Sequence, residues 1–192
     1  MASENLNMDQ QDVGILESFR QAMGRFAGAV NAITTEEEGE PSGLIATAVC
    51  SLSFEPPSVL VCVNKKGRSH DAIIRRGAFA VNLLSPSLMH VASQFQKERG
   101  AARFSNGKWS AGPTGSPMLV GAPMALDCQL AMVHDGYSHS ILVGEVVHVE
   151  LSGDGDDASL LWKGRGYHQP IEVVDLAHRP AAHELVLDEM LF

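Results

Sequence analysis

The stretch from Asn64 to Gly77, NKKGRSHDAIIRRG, sets five cations (Lys65, Lys66, Arg68, Arg75 and Arg76) against the single carboxylate of Asp71, in a chain whose formal charge is −9. Such an island, running into the apolar Ala72, Ile73 and Ile74, suits a short helix that Ser69 caps and Gly77 closes. Amides at a helix start attract anions, and hydroxyl and cationic groups beside them strengthen the hold. Asn64, Arg68, Ser69 and His70 could therefore bind a phosphate. The same residues also read as a solvated basic turn with a structural serine cap.

A second stretch, ATAVCSLSFEPP from Ala46 to Pro57, interleaves small and hydroxyl residues with apolar ones. Small side chains let a flat aromatic ligand approach the backbone, where free amides and hydroxyls bond its heteroatoms. A plain core strand before a proline break explains the same letters. His134 and His139 bracket the loop HDGYSH, and Tyr167 lies in KGRGYH. A histidine at a strand start is either structural or a proton handler. Tyr167 is either a rim aromatic or a ring that covers a ligand. No Cys/His spacing supplies a metal site, and there is no GxSxG elbow, P-loop or GxGxxG.

These residues need elements to position them. Leu16, Phe19, Met23 and Phe26 recur at spacings of three and four, the mark of an amphipathic helix that Asp12 caps and Gly24 or Gly28 ends. AVNAITT is β-like, and EEEGEPSG is a charged turn. Leu44 to Val63 reads as two strands parted by Pro56-Pro57. In FAVNLL, Phe79, Val81 and Leu83 share a face. Residues 87–96 read as a helix through Leu88, Val91, Ala92 and Phe95, followed by a Gly/Ser/Pro-rich loop to Pro117. Two long alternating runs follow, one facing inward with Leu126, Cys128, Leu130 and Met132, the other with Ile141, Val143, Val147 and Val149. Asp135-Gly136 is the favoured turn pair between them. SGDGDD is a further turn, and Leu160 to Trp162 a short strand. The pattern is mainly β: an antiparallel barrel with a few short helices covering its ends. Three regions result, a disordered polar segment over 1–13, a domain over 14–170, and a C-terminal arm or tail over 171–192.

Composition excludes several classes. With 192 residues and 45% hydrophobic residues the chain can build a real core. Its negative charge argues against a nucleic-acid binder, which must neutralise phosphates. No apolar run is long enough to span a bilayer, and the start MASENLNMDQQD is not a signal peptide. Cys50, Cys62 and Cys128 form an odd set in apolar stretches, which reads as buried reduced thiols in a cytoplasmic protein.

The order of these segments resembles the short-chain flavin reductase family, the reductase components of two-component flavin-dependent monooxygenases. The similarity runs from about Phe19 to Gln169, through FRQAMGRFAGAVNAITT, GLIATAVCSLSFEPPSVLVCV, NKKGRSHDAI, FAVNLL, ARFSNGKWSAGPTGSPMLVGAPMALDCQL, HDGYSHSILVGEVVHVE and LLWKGRGYHQP. It implies an antiparallel split β-barrel (Greek key) acting as a homodimer, which reduces FMN or FAD with NADH or NADPH and supplies a partner monooxygenase. Ala46, Thr47, Ala48, Cys50, Ser51 and Leu52 would border the flavin ring. Arg68, Ser69 and His70 would hold its phosphate, with Asn64 nearby and Asn82 and Phe104 adjoining. His139, as the catalytic candidate, and Tyr167 would face the nicotinamide. The chain departs from the family pattern in three places. Ile45-Ala46-Thr47-Ala48 stands where Thr-Ala-Asn-Ser is usual, Cys50 replaces a hydroxyl residue, and Ser138 replaces the acid before the hairpin histidine. Two alternatives share the barrel: a flavin-binding protein without reductase turnover, and an oxidoreductase that keeps its flavin and acts on another substrate.

Overall fold

The computed structural model describes residues 2–152 and 158–171, with side chains from Val13 onward. The turn SGDGDD and the C-terminal tail fall, but for Ser152 and Ile171, outside the described residues. Helix α1 spans Ala2–Met23. It is followed by β1 (Gly28–Ala29), β2 (Asn31–Glu37), β3 (Glu40–Ala46), β4 (Val49–Phe54) and β5 (Pro57–Asn64). Next come α2 (Arg68–Arg76), β6 (Ala78–Leu83), a 3-10 turn at Pro86–Leu88, α3 (Met89–Lys97) and a 3-10 helix at Gly100–Ser105. The chain continues with β7 (Trp109–Ala111), β8 (Pro117–Leu119), β9 (Met124–Gly136), β10 (His139–Leu151), β11 (Leu161–Lys163) and β12 (Gly166–His168). No helix among the described residues is long and apolar enough to cross a membrane.

Seven strands form one antiparallel sheet in the order β3-β2-β6-β9-β10-β5-β4. The two strands at its opposite edges, β3 and β4, are joined by only Thr47 and Ala48. The three steps from Ala46 to Val49 span at most about 11 Å, far less than the width of a flat seven-stranded sheet. The sheet must therefore roll until its edges meet. Since β3 and β4 share no ladder, the barrel stays open along that seam. Inside it lie Ile33, Val59, Val61, Val63, Phe79, Val81, Leu126, Cys128 and Leu142, with Ile73 of α2 entering the same cluster. A second core outside β2 and β6 gathers Val91, Ala92 and Phe95 of α3 with Val30, Leu84, Leu119 and Leu160. A three-stranded sheet, β1-β11-β12, borders this outer core.

Several local expectations change. α1 begins at Ala2 rather than at a cap on Asp12, so residues 2–13 are helical rather than unstructured. Its Ile15, Leu16, Phe19 and Met23, and Phe26 beyond it, are exposed rather than packed on the barrel. Glu38 and Gly39 make the whole turn between β2 and β3, both at positive φ, so Pro41 and Ser42 already belong to an edge strand, where proline is tolerated. The β9–β10 loop is Tyr137-Ser138 rather than Asp135-Gly136. Tyr137 takes the left-handed conformation, and Asp135 accepts its amide proton at 2.9 Å. In β10 Val143 is buried as expected, but Leu142 and Val146 rather than Ile141 pack in the barrel cluster, and Val147 and Val149 are exposed. Ile141, Leu142 and Val143 are all apolar, so alternation could not choose the inward face. Cys50 is exposed, Cys62 half-buried and Cys128 buried, and all three are free.

Gly144 shows how tightly the barrel closes. A Cβ there would collide with the Phe79 ring and sit 2.9 Å from Cys128 Cβ. Gly144→Ala is expected to cost at least about 2 kcal/mol through overpacking, read as a lower midpoint of urea unfolding at unchanged slope. An unchanged midpoint would show that the barrel has slack at this point.

Candidate functional site

The turn from β5 into α2 is built by Asn64, whose side-chain oxygen accepts the Lys66 amide at 2.9 Å and whose carbonyl accepts the Gly67 amide at 3.1 Å. The helix cap is Gly67, extended and without a side-chain cap bond, rather than Ser69. Ser69 lies inside the first turn and is buried. Its hydroxyl donates to the Gly43 carbonyl at 2.9 Å and accepts from Ser42 Oγ at 3.0 Å. That hydroxyl ties α2 to edge strand β3. The amides of Arg68 and Ser69, at the helix start, have no acceptor within the helix and are the groups that attract an anion.

Two adjoining cavities open at this junction. The first, of about 690 Å³, lies between β3, the start of α2 and the 3-10 helix at Gly100–Ser105. Its walls carry Lys66, Arg68, Arg75, Arg99 and Arg103 against Glu37, Glu40 and Asp71. Arg75 grips Glu37 through both ends of its guanidinium, Nη2 donating at 2.9 Å. The second, of about 400 Å³, is lined by Ile45, Thr47, Phe95, Trp162 and Tyr167 among others. Trp162 and Tyr167 meet edge to face with centroids 5.0 Å apart, a stable aromatic pairing. Gln96 donates to the Tyr167 hydroxyl at 2.9 Å, and burial raises that phenol's pKa. Leu44 and Arg103 line both cavities, which therefore adjoin along β3. Arg103 donates to the carbonyls of Glu98 and Gly43, and burial, then its neighbour Arg99, lower its pKa.

The structure sorts the residues singled out by sequence. Arg68 and Ser69 line the cationic cavity, and Thr47 and Tyr167 line the aromatic one. Ala46 points into the barrel core and can offer a ligand only its backbone. Ala48, Cys50, Ser51 and Leu52 are exposed, at the seam and along the open edge strand β4. Asn64 is the turn-former just described. Asn82 is fully buried and leaves the set of candidate contacts. It donates to the Ala32 carbonyl (3.0 Å) and Thr34 Oγ1 (3.1 Å) and accepts the Leu119 amide (2.7 Å). Phe104 packs edge to face on Phe95 and Trp109 and supports the 3-10 helix from the outer core. His70 sits between Asp71 (Nδ1, 2.8 Å) and Ser140 Oγ (Nε2, 2.9 Å), linking α2 to β10. His139 pairs across the ladder with Asn64, its Nδ1 2.9 Å from Ser138 Oγ, and lines neither cavity. Sequence reasoning missed Arg99 and Arg103. Their signal was a second cationic cluster in KERGAARF, hidden in a segment read only as a loop.

An anion held between backbone amides and guanidiniums, beside an apolar slot for a ring, is the arrangement a nucleotide needs. No side chain in the groove is set up as a nucleophile with an adjacent base. The groove can bind and align; any redox chemistry must come from the molecules it holds.

Comparison with known proteins agrees with this geometry. The family model of the flavin reductase like domain matches residues 23–170. The chain is 40% identical over 152 residues to an FMN reductase (NADH), RutF, of Pseudomonas syringae pv. syringae, covering 79% of this chain and 84% of that protein. Its structure resembles nitrilotriacetate monooxygenase component B from Mycobacterium thermoresistibile, with a TM-score of 0.77, 30% identity and coverage of 88% of this chain and 97% of that one. It also resembles an NADH:FAD oxidoreductase of Streptomyces globisporus in complex with NAD and FAD fragments, with a TM-score of 0.72, 27% identity and coverage of 83% and 93%.

Burial, reinforced by Asp127 beside it, pushes the Cys128 thiol up to about 12, whereas Cys50 is exposed. At pH 8 Cys128 is therefore overwhelmingly in its unreactive thiol form as well as enclosed. Iodoacetamide should label Cys50 and spare Cys128 in the folded protein, as read by peptide mass spectrometry. Labelling of Cys128 without denaturant would refute this description of the core.

Proposed function

Because the chain belongs to the flavin reductase like domain family and is an NAD(P)H:flavin oxidoreductase, we propose that it reduces flavin with NADH and passes the reduced flavin to a partner monooxygenase. The observation that carries this reading is the adjacency of a cationic cavity at the α2 amides and an aromatic-lined one at Thr47. Bound flavin supplies the redox chemistry, accepting hydride at N5 from nicotinamide C4. NADH is the donor in the FMN reductase relative, and the structural neighbour named as a monooxygenase component supports the partner.

The residues present fit a flavin. The amides of Arg68 and Ser69, with the Arg68 side chain, would hold its phosphate, and Arg103 faces the same cavity. Thr47 and the seam residues Ala48, Cys50, Ser51 and Leu52 would border its ring through backbone groups and small side chains. Tyr167 and Trp162 close the slot from β11 and β12 and keep water from one side of it. His139 stands outside both cavities and is assigned to the nicotinamide. The Ser138 hydroxyl fixes its ring in place of the acid expected there. The protein's contribution is then alignment of two rings, which raises the rate by holding them in reactive contact.

We further propose a homodimer. Edge strand β4 offers an open ladder beside the seam, with Leu52 exposed on it. The β9–β10 pair exposes Met132 and Val133 toward its hairpin and Val147 and Val149 toward its other end, and α1 presents its apolar side. Uncovered edges and patches of this kind invite a second copy. The catalytic unit is assigned to 14–170, with 1–13 and 171–192 as appended segments. The three free cysteines support the cytoplasm as its place.

Purified protein with NADH and a catalytic amount of flavin should deplete NADH absorbance continuously under air. Loss of only one flavin equivalent, or flavin that stays with the protein on gel filtration, would instead favour binding without turnover or a resident cofactor. His139→Ala is expected to raise the KM for NADH or slow hydride transfer about tenfold or more, with flavin affinity within about twofold. Unchanged stopped-flow constants would remove His139 from the mechanism. Saturating flavin should also slow alkylation of Cys50; equal rates would place the ring elsewhere.

A further inference from the structure

Two of the three thiols lie outside the barrel core, on one face of the ladder at its open edge. Val59, Val61 and Val63 of β5 point into the barrel, and Val49 of β4 packs against the same cluster. Strand alternation therefore turns Leu60 and Cys62 of β5, and Cys50 of β4, to the outer face. Cys50 pairs with Leu60, and the Cys62 amide donates to the Ala48 carbonyl at 3.0 Å. The cysteines are thus diagonal neighbours, a relation that sets Cα atoms about 7–8 Å apart with side chains closer. Cys50 is exposed, Cys62 is half-buried, and both are free. Disulfides span Cα separations up to about 6.8 Å, so joining these two requires β4 to shift by roughly 1 Å. The strand has that freedom. Its ladder partner is β5 alone, and a register shift between Ser51 and Ser53 already interrupts the pairing.

Flavin reduction brings an oxidant to this place. Reduced flavin that no acceptor collects passes two electrons to dioxygen, and hydrogen peroxide forms. Resting on the reading above that sets Cys50 at the flavin ring, we propose that Cys50 and Cys62 form a peroxide-sensitive pair, whose disulfide displaces the seam residues and halts flavin reduction until a thiol reopens it. The Cys50 thiolate takes one oxygen of the peroxide, the O–O bond breaks, and hydroxide leaves with its electron pair. The Cys62 thiolate then attacks the sulfenic sulfur of Cys50. The S–S bond forms, and a second hydroxide leaves and is protonated to water. Two thiols are oxidised to one disulfide, and one peroxide is reduced to two waters. Cys128 takes no part, enclosed in the core with its thiol pushed up by burial to about 12. A disulfide that needs a strand shift is readily reduced again, which suits a reversible device.

The test begins with the rate at which the reduced wild type transfers electrons from NADH to flavin. The protein is then exposed to hydrogen peroxide without flavin, alkylated with iodoacetamide and digested without reductant. Peptide mass spectrometry should find Cys50 joined to Cys62 within one chain, and Cys128 unmodified. The oxidised protein should reduce flavin at least about tenfold more slowly at subsaturating flavin, and dithiothreitol should restore the rate. Cys62 lines neither cavity, so Cys62→Ser should keep the rate of the reduced wild type. Peroxide should leave the Cys50 of that variant as a sulfenic acid that dimedone traps. The proposal is overturned if no Cys50–Cys62 bond forms, if Cys50 links to the Cys50 of another copy, if the bond forms without loss of rate, or if the loss persists in dithiothreitol. In each of those results the starting rate stands, and the flavin reading with it. Absence of that starting rate would remove the reading and the proposal together.

Discussion

The short link between β3 and β4 governs the rest of the molecule. A seven-stranded antiparallel sheet would ordinarily leave its two edges far apart, and Thr47-Ala48 allows them no such distance. Rolling the sheet encloses a core of valines, Phe79 and Leu142 and creates a seam that no ladder hydrogen bonds close. Unpaired backbone at a seam is costly when buried and available when a ligand or a second chain lies against it. The same constraint explains why the small residues fall where they do. Large side chains at Ala46, Thr47, Ala48, Cys50 and Ser51 would crowd this seam, where polar backbone remains accessible.

The α2 helix converts that seam into a binding groove. Ile73 inserts into the barrel core, while the buried Ser69 hydroxyl holds the Gly43 carbonyl. Together they set the helix start beside β3, with its free amides facing a cavity rather than the core. A serine that seems in sequence to be the anion ligand is instead the bolt that places the amides. The electrostatics follow from position more than from composition. The chain as a whole repels anions, yet four cations without carboxylate partners among the described residues face one cavity, where their fields add.

Sequence showed the barrel class and the cationic turn into a short helix because both rest on short-range signals: alternation, proline breaks and a dense cationic run. It misjudged features that depend on packing. Asn82, which the family resemblance set adjoining the flavin site, bonds three groups of β2 and β8 in the interior. In β10, three consecutive apolar residues hid which face turns inward, and register shifts at Val143/Gly144 and Val146/His148 broke the simple alternation. Arg99 and Arg103 were invisible as a site because their cavity forms only when the 3-10 helix at Gly100–Ser105 folds against β3. The exposure of the α1 apolar face could not be foreseen either, since periodicity reports a stripe without saying what it packs on.

The phosphate end and the histidine end of the groove behave as one body. His139 lies across the ladder from Asn64, which forms the α2 turn, and His70 of that helix meets Ser140, the next residue in β10. The Lys65 amide donates to the Ser138 carbonyl at 3.1 Å, and Lys65 Nζ reaches Asp135 in the same hairpin. Four contacts thus tie the β9–β10 hairpin to the cationic turn, so a phosphate seated there, as proposed, would be coupled to the placing of His139. On the other side of the seam, β4 has a ladder partner in β5 alone. Contacts are concentrated where the turn into α2 meets the hairpin, and the open edge lies on the other side of the seam. A protein that gave up its reduced flavin after each cycle, as proposed above, would use that asymmetry: a fixed grip on one end of the molecule and an open wall beside the other.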